Sequence, residues 1–392
     1  MGANVKRQML LLVATVWMLL PMASSVHAFP PDPDNAALVY YQAFLLCEQA
    51  DEEGREALSD FARGQREVSA EIREHVARYR AAVEYGSVAA GMQQCNWGLR
   101  YSQGFSMQLP HLAPVRFLHW VMLSDARLHA ADGDYRTALS RCLDVRRTAQ
   151  HIGDDTLISM LVAVALDRSA NARIRDFLPD VGADVETLEW LKNEMADMSG
   201  KLPSARRPVA YEREIAMDIM RPEKLDSLVE VFEGSGTELT DEQLAMADED
   251  FLRRNREYYS KFLTSLQTAL GAPGSYEQRY RKLAELTDKM TRASAQDTAA
   301  TLTAMFAPGL AKVYSHQVRA EANANATQAA VDIFIIRAKT GELPEELPAD
   351  LPKDPFSGRD FEYERTDEGF VLRCRGKDLV KDEVHEFALL VK

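Results

Sequence analysis

Apolar residues recur at helical spacing along most of the chain, and this pattern predicts a mainly α-helical body. Asp34 or Asn35 is the expected cap of the first helix. The apolar face of this helix is expected to consist of Leu38, Tyr41 and Leu45. No proline occurs between residues 34 and 109, so a long second helix is expected over residues 67–92.

The next helices are marked by breaker residues at their ends. One helix is expected to begin around Pro114 and to end before Gly133. Residues 157–166 are apolar except for Ser159, and this run predicts a helix that is buried on most sides. It is the expected centre of a first helical domain, which closes with a helix near residues 185–197.

A boundary follows this domain. Prolines punctuate residues 203–222, and the composition of residues 234–243 is typical of a mobile loop. Thr240 or Asp241 is the expected cap of the next helix. Its apolar residues recur at heptad-like spacing: Leu244, Phe251, Tyr258, Phe262 and Leu266.

Two further helices complete the helical body. Ser275 and Gln278 form a capping box at the start of one of them. The other begins after Gly309 and extends to Lys339. Its middle contains small side chains: Ala320, Ala322, Ala324, Ala326, Ala329 and Ala330. Because small side chains let neighbouring helices approach closely, this helix is expected inside an antiparallel bundle.

The C-terminal segment changes from helical to strand periodicity. Four of the sixteen prolines lie within residues 344–355. Alternating apolar residues then predict three short strands: Phe361 and Tyr363; Phe370, Leu372 and Cys374; Phe387, Leu389 and Val391. Residues 367–369 are the expected hairpin turn between the first two strands. Such a small antiparallel sheet is marginal alone, so it is expected to pack against a helix.

The N-terminus has the layout of a secretory signal peptide. Lys6 and Arg7 precede an apolar run over residues 9–20, and Ala28 supplies the small residue at the cleavage position. Cleavage after Ala28 predicts a periplasmic or secreted protein without a transmembrane segment in its mature chain. The alternative is an uncleaved anchor, because no Asp, Glu, Lys or Arg occurs between Arg7 and Asp32.

Together these signals predict four parts of the chain. They are a signal peptide (1–28), an N-terminal helical domain (29–200), a second helical segment (201–340) and a small β-module (341–392). The expected fold class is therefore mainly α, a multi-helix antiparallel body with a small C-terminal three-stranded β-module.

Composition and charge exclude several classes of function. The 392 residues contain 46 basic and 60 acidic side chains, a net charge of −14, which argues against nucleic acid as a partner. No glycine-rich phosphate loop, nucleophile elbow or zinc-ligand spacing occurs, so no cofactor, metal or catalytic residue is assigned.

The cysteines form an even set in a chain that is expected to reach an oxidising compartment. Cys47 and Cys95 both lie near predicted helix ends in the first helical hairpin, and they are the expected disulfide. Cys142 lies on an apolar helix face and Cys374 in a predicted strand, so these two are expected to be buried thiols.

Residues 131–145 resemble the turn and second helix of a tetratricopeptide unit. The matching positions are Gly133, Asp134, Tyr135, Ala138 and Leu139. No second copy follows at the period of about 34 residues, so the resemblance implies one helical hairpin rather than an array.

Residues 341–372 resemble the C-terminal module of type II secretion pseudopilins. They resemble still more a group of uncharacterised exported bacterial helical proteins that end in this module. The matching positions are Leu351, Pro352, Asp354, Pro355, Phe356, Gly358, Tyr363, Gly369, Phe370, Val371 and Leu372. The resemblance implies a fold element and not an activity. The prepilin-type N-terminus of the pseudopilins is absent, which argues against assembly into a pilus.

The calcium loop that often follows the last motif of that module is also absent. Asp378, Asp382 and Glu383 occur at this place and are expected to form a solvated acidic loop, with weak cation binding as the alternative.

Two histidines are candidates for chemistry. His111 and His119 are eight residues apart and can border one cleft near Trp97 and Trp120. The alternative is that His111 supports a helix start and that His119 packs with its ring nitrogens satisfied.

Acidic residues on one predicted helix are the second candidate. Glu212, Glu214 and Asp218 follow Arg206 and Arg207. Glu214 and Asp218 share a helix face, and a buried carboxylate pair there can act as a general acid. The alternative is a solvated face or pairing with the arginines.

Trp97, Arg116 and Trp120 are residue types enriched at binding hot spots and are expected near one groove. The sequence therefore favours an exported, non-catalytic envelope protein that binds or scaffolds a protein or another envelope component. The alternatives are a hydrolase or lyase acting on an envelope polymer, and a carrier of a small ligand.

Overall fold

The helical periodicity of the sequence produces a mainly α-helical protein with a small antiparallel sheet at its C-terminus. The computed structural model describes residues 32–47, 51–198, 204–234, 248–306 and 310–391. The first helices are α1 (Ala36–Leu45), α2 (Glu52–Ala62), α3 (Ala70–Arg78), α4 (Arg80–Ala90), α5 (Leu112–Ala131), α6 (Tyr135–Ile152), α7 (Leu157–Val181) and α8 (Val185–Asp197). They are followed by α9 (Arg206–Ile219), α10 (Leu225–Gly234), α11 (Glu249–Gly271), α12 (Tyr276–Ser294), α13 (Thr301–Phe306) and α14 (Leu310–Thr340).

Helix starts follow the capping residues of the sequence. Asn35 caps α1 by accepting from the Ala37 amide, and Ser275 and Gln278 form the predicted capping box of α12. In the described residues α11 begins at Glu249 and is capped by Asp248. Thr240, Asp241 and the predicted loop over residues 235–243 lie outside the described residues.

The buried face of α1 is not the predicted one. Leu38 and Leu45 are 52% and 64% exposed, whereas Tyr40 and Phe44 are buried. The physical reason is the aromatic packing of this helix. The ring of Tyr40 stacks at 5.3 Å on Trp97, which belongs to a loop far along the chain. Helical spacing alone could not distinguish the two faces, because both carry apolar residues.

The predicted long helix over residues 67–92 is two helices, α3 and α4. The chain bends at Tyr79, whose backbone angles are φ −104° and ψ 12°. The ring of Tyr79 packs edge-on against Phe117 of α5 at 5.5 Å. The bend therefore follows from a tertiary contact, which the absence of proline did not reveal.

The core lies where α5, α6, α7 and α14 pack together. The small residues of α14 are buried there, as predicted, and the helix contacts both α7 and α8. Residues from Asn35 onward form one compact unit. Only part of α7 agrees with the prediction, because Met160 and Ala163 are buried but Ile158 and Leu161 are 60% and 38% exposed.

The predicted three-stranded sheet is confirmed. Its strands are β1 (Glu362–Thr366), β2 (Gly369–Arg373) and β3 (Glu386–Leu390), antiparallel in the order β1-β2-β3. Tyr363 pairs with Leu372, and Phe370 pairs with Leu389. The sheet packs on the helical body through Phe370, whose ring lies 5.8 Å from that of Phe334 on α14.

A buried carboxylate organises the loop that precedes the sheet. Asp354 is fully buried and accepts four hydrogen bonds. The donors are the Phe356 amide at 2.9 Å, the Ser357 hydroxyl at 2.6 Å, the Arg375 amide at 2.9 Å and the Gly376 amide at 2.9 Å. Asp354 thus joins the loop before β1 to the chain after β2.

Candidate functional site

Trp97 belongs to the core and not to an open groove. Its side chain is 5% exposed, stacks on the ring of His111 at 4.5 Å, and donates from Nε1 to the His151 carbonyl at 2.9 Å. Tyr40 covers another part of the ring. A ligand could reach Trp97 only by displacing these contacts.

Trp120 is half-buried and lies in a different place. His111 caps α5, so Trp120 is nine residues further along the helix, about 13 Å from the Trp97 stack. The cation over the Trp120 ring is Arg63, at 5.5 Å, whereas Arg116 is exposed. The structure therefore does not assemble Trp97, Arg116 and Trp120 into one site.

His111 and His119 are both buried, at 0% and 3% exposure. Within the described part of the chain, none of their ring nitrogens has a hydrogen-bond partner. For His119 the Arg116 carbonyl, one turn earlier on α5, lies outside this hydrogen-bond geometry but still raises the pKa of the ring against the effect of burial. Burial lowers the pKa of His111 to about 4 and that of His119 to about 3, so both rings are neutral at neutral pH.

The cysteines are free thiols. Ala36, at the start of α1, donates to the carbonyl of Gln94, so Cys95 lies near the N-terminal end of this helix. Cys47 lies beyond its C-terminal end, about 15 Å away along the axis, whereas a disulfide needs Cα atoms within about 7 Å. The predicted Cys47–Cys95 disulfide is thus not formed in this structure. Cys142 and Cys374 are buried thiols, as expected.

Asp378 is a buried structural residue and not part of a solvated acidic loop. It accepts from the Ser315 hydroxyl at 2.9 Å, and Arg319 Nε lies 3.0 Å from its Oδ2 atom. His385 Nε2 is 3.2 Å from the same oxygen. Asp382 has an 85% exposed side chain. Within the described ranges, no group of three or more potential ligands could hold a metal ion.

A cavity of about 790 Å³ lies between α9, α11 and the 3₁₀ turn Tyr101–Ser106. We call it the cationic cleft. Its described lining residues are Tyr101, Ser102, Gly104, Asp155, Arg207, Tyr211, Arg213, Glu214, Ile215, Met217, Asp218, Arg221, Lys224 and Arg256. They include five cationic side chains and three carboxylates.

One face of α9 and the residues just after it supply most of this lining. Arg207, Tyr211, Glu214, Asp218 and Arg221 recur at alternating spacings of four and three residues, which is one stripe of a helix. The opposite face of α9 is buried against the core. Amphipathic helix formation alone therefore presents these polar groups to the cleft.

A tyrosine pair forms one wall of the cationic cleft. The rings of Tyr101 and Tyr211 meet edge to face at 5.1 Å. The Tyr101 hydroxyl donates to Asp155 Oδ1 at 2.5 Å. Burial raises the pKa of Asp155, and the hydrogen bond from Tyr101 and the charge of Arg207 oppose this shift. Asp155 is thus already engaged by the protein.

The carboxylate of Asp218 is also engaged. Lys224 Nζ contacts it directly, and Arg221 Nε lies 3.4 Å from Oδ1. Glu214 is exposed at the cleft surface. The predicted pairing of Asp218 with cations is therefore found, although its partners follow it in the chain rather than precede it.

Two arginines of the cationic cleft contact no carboxylate in the described part of the chain. Arg213 donates to the Ser260 hydroxyl at 3.0 Å. Arg256 of α11 has a buried Nε atom without a hydrogen-bond partner among the described residues. Arg207 has only a long contact, 3.8 Å, with Asp154. The cleft therefore retains positive charge that the protein itself does not neutralise.

The sequence pattern predicts Glu214, Asp218 and Arg207 near one site but gives no signal for Tyr101, Asp155 and Arg256. The polar stripe of α9 was the available signal. Tyr101, Asp155 and Arg256 come from three other elements, and no local pattern connects them to α9.

No known protein family, curated protein or solved structure matches this chain. Among the described residues, no helix combines the length and the apolar character that a membrane span requires.

Proposed function

We propose that the protein is a binding protein whose ligand, a small anionic molecule, occupies the cationic cleft. The observation that carries this proposal is Arg256, which lines the cleft and forms no ion pair among the described residues. A guanidinium that no carboxylate neutralises is a ready partner for an anionic ligand, because hydrogen bonds between charged groups are the strong ones. A carrier of a small ligand, one of the alternatives from the sequence, thus has more support than a scaffold that binds a partner near Trp97, Arg116 and Trp120.

The charge of the cleft favours an anion over other ligands. Five cationic groups face three carboxylates, and two of those carboxylates, Asp155 and Asp218, already have partners in the protein. In a chain with a net charge of −14, such a local excess concentrates anions against the field of the whole molecule. Phosphate and carboxylate groups suit the planar donor sets of arginines.

The two tyrosine rings of the cleft narrow the class of ligand further. Tyr101 and Tyr211 present ring surface beside the arginines. A ligand with a ring next to its acidic group would use both features, as a phosphorylated or carboxylated sugar does. The proposed ligand class is therefore a small ring-containing acid.

The hydrolase or lyase alternative would use the same carboxylates as acid and base. Such chemistry needs a carboxyl group that is free to exchange a proton at the substrate. Asp218 is held by two cations and Asp155 by Tyr101, so among the described carboxylates that line the cleft only Glu214 is available. This arrangement supports binding more than catalysis.

Substitution of Arg256 by glutamine tests the proposal. With glucose 6-phosphate and glucuronate as probes, calorimetric titration should show binding to the parent chain. Arg256→Gln should weaken it by about tenfold or more, since a charge-assisted hydrogen bond is lost. Glu214→Gln should strengthen binding slightly, because a like charge leaves the cleft. Arg116→Gln is the matched control, an exposed arginine outside the cleft.

Two results would contradict the proposal. The first is equal weakening by Arg116→Gln and Arg256→Gln, which would indicate nonspecific charge effects. The second is turnover of an envelope polymer by the parent chain that Glu214→Gln abolishes while the fold is retained. That outcome would establish the enzyme alternative.

We also propose that this binding takes place outside the cytoplasm, in the periplasm or after secretion. The support is the N-terminal charge and apolar pattern, which lies outside the described residues. N-terminal sequencing of protein purified from its own cell envelope should begin at Phe29. A sequence that begins at Met1 in membrane-bound material would replace this proposal with the anchor alternative.

A further inference from the structure

A second cavity, of about 590 Å³, lies between the C-terminal end of α2, α5, α7 and α14. We call it the Trp120 groove. Its described lining residues are Ala62, Arg63, Trp120, Leu161, Val164, Ala165, Arg168, Ser169, Ala172, Arg173 and His316. None of them belongs to the cationic cleft.

The floor of the Trp120 groove is apolar and open to solvent. Trp120 is half-buried, and Leu161 is 38% exposed at the side of α7 that faces the groove. Ala165 and Ala172 lie on the same face of α7 as Leu161, and their small side chains leave room for a ligand beside the helix. A concave apolar surface of this size, with a few charged groups at its edge, has the form of a small-ligand site.

The rim of the groove is positively charged. Arg63, Arg168 and Arg173 line it, and none of the described lining residues is a carboxylate. Arg63 and Arg173 each have one acidic neighbour, Asp60 at 2.8 Å and Asp176 at 2.5 Å.

Arg168 and His316 differ in what they contribute to this rim. Arg168 is exposed and forms no ion pair within the part of the chain that the structure describes. Burial lowers the pKa of His316, so the charge at neutral pH comes from the arginines.

We propose that the Trp120 groove binds a single-chain anionic amphiphile, with the hydrocarbon on the floor and the acidic group at the arginine rim. The apolar floor recognises the chain, and the arginines recognise a carboxylate or a phosphate. A neutral apolar molecule would leave the rim unused, and a small anion would leave the floor uncovered. The shared chemistry of a fatty acid and a lysophospholipid fits both parts.

Tryptophan quenching tests this proposal on the chain from Phe29 onward, which lacks Trp17. A dibrominated stearate should quench the fluorescence of Trp120 on binding, and Trp120→Phe should remove the quenched component. Trp97 and Trp190 serve as internal references, because Trp97 is buried in the core and Trp190 lies on α8 beneath Arg136. A brominated lysophosphatidate, run in parallel, shows which acidic group is preferred.

Leu161→Glu places a charge on the floor and should weaken binding of the stearate by about tenfold or more. Ile158→Glu is the matched control, since Ile158 is exposed one turn earlier on α7 and does not line the groove. Arg168→Glu is the second variant. It is exposed, so folding should survive, and it should weaken binding and reduce the salt dependence.

Three outcomes would overturn the proposal. They are no quenching that depends on Trp120, equal effects of Leu161→Glu and Ile158→Glu, and binding of the stearate methyl ester as tight as that of the acid. Loss of quenching in Leu161→Glu with an unchanged circular dichroism spectrum would support it.

Discussion

Asp354→Asn is expected to destabilise the protein by about 3–5 kcal/mol, almost as much as Asp354→Ala. The carboxylate is fully buried, and its Oδ2 atom accepts from the Ser357 hydroxyl and from the amides of Arg375 and Gly376. Asparagine has the same shape but replaces one acceptor with an NH₂ group. In one orientation that group would face the Phe356 amide, and in the other it would face the three donors of Oδ2, so at least one buried hydrogen bond is lost and donors are forced together.

Urea denaturation followed by circular dichroism measures this effect. Asp360→Asn is the matched control in the same loop. The Asp360 side chain is 52% exposed, and its one ion pair among the described residues is with Lys353. It should cost less than about 0.5 kcal/mol. If Asp354→Asn were as small in effect, the carboxylate would not organise the β-module, and the packing of Phe370 on Phe334 would be the main link.

Acidification from pH 7.5 to pH 5 is expected to cost about 4 kcal/mol of stability through His111 and His119 together. Their pKa values are lowered by burial from 6.5 to about 4 and about 3. As pH falls below 6.5, the unfolded chain binds protons that the folded protein does not, so stability decreases. This loss continues until pH reaches the folded pKa values.

The double variant His111→Phe with His119→Leu should lose about 4 kcal/mol less over the same pH interval. Phenylalanine can keep the stack on Trp97, and both substitutions remove buried nitrogens without partners. Phe117→Leu on the same helix is the control, since a pure packing defect should cost the same at both pH values. If the double variant kept the full acid sensitivity, other groups, such as the half-buried His151, would be responsible.

The agreement between sequence and structure is best for features that depend on near neighbours. The capping box of Ser275 and Gln278, the alanine-rich middle of α14 and the turn before Gly369 all lie where they were predicted. Caps and turns depend on contacts between residues a few positions apart, and the small side chains of α14 predict close packing whichever helices meet it. Capping, periodicity and turn chemistry are then readable in the sequence itself.

The predictions that fail concern which apolar side chains of a helix are buried against other elements. Leu38 and Leu45 have the spacing of a buried face but are exposed. The other face of α1 is buried instead, because Tyr40 stacks there on Trp97. Tyr79 bends the chain because Phe117 lies beside it. Such choices depend on partners that are far apart in the sequence, and local periodicity carries no information about them.

The candidate sites show the same division. The stripe from Arg207 to Arg221 is visible in the sequence, since an amphipathic helix needs only its own periodicity. The cationic cleft also requires Tyr101, Asp155 and Arg256, which the tertiary structure brings from three separate elements. The same holds for the two tryptophans, because Trp97 stacks on His111 at the start of α5 whereas Trp120 lies nine residues further along that helix.

By itself, the sequence determined the helical body, its caps, the central alanine-rich helix and the C-terminal sheet, because these follow from interactions between neighbouring residues. Only the tertiary structure decided which helix faces are buried, which thiols lie apart and which charges share a cleft. The physical reason is that burial and local charge depend on everything packed around a residue, and most of those neighbours are distant along the chain.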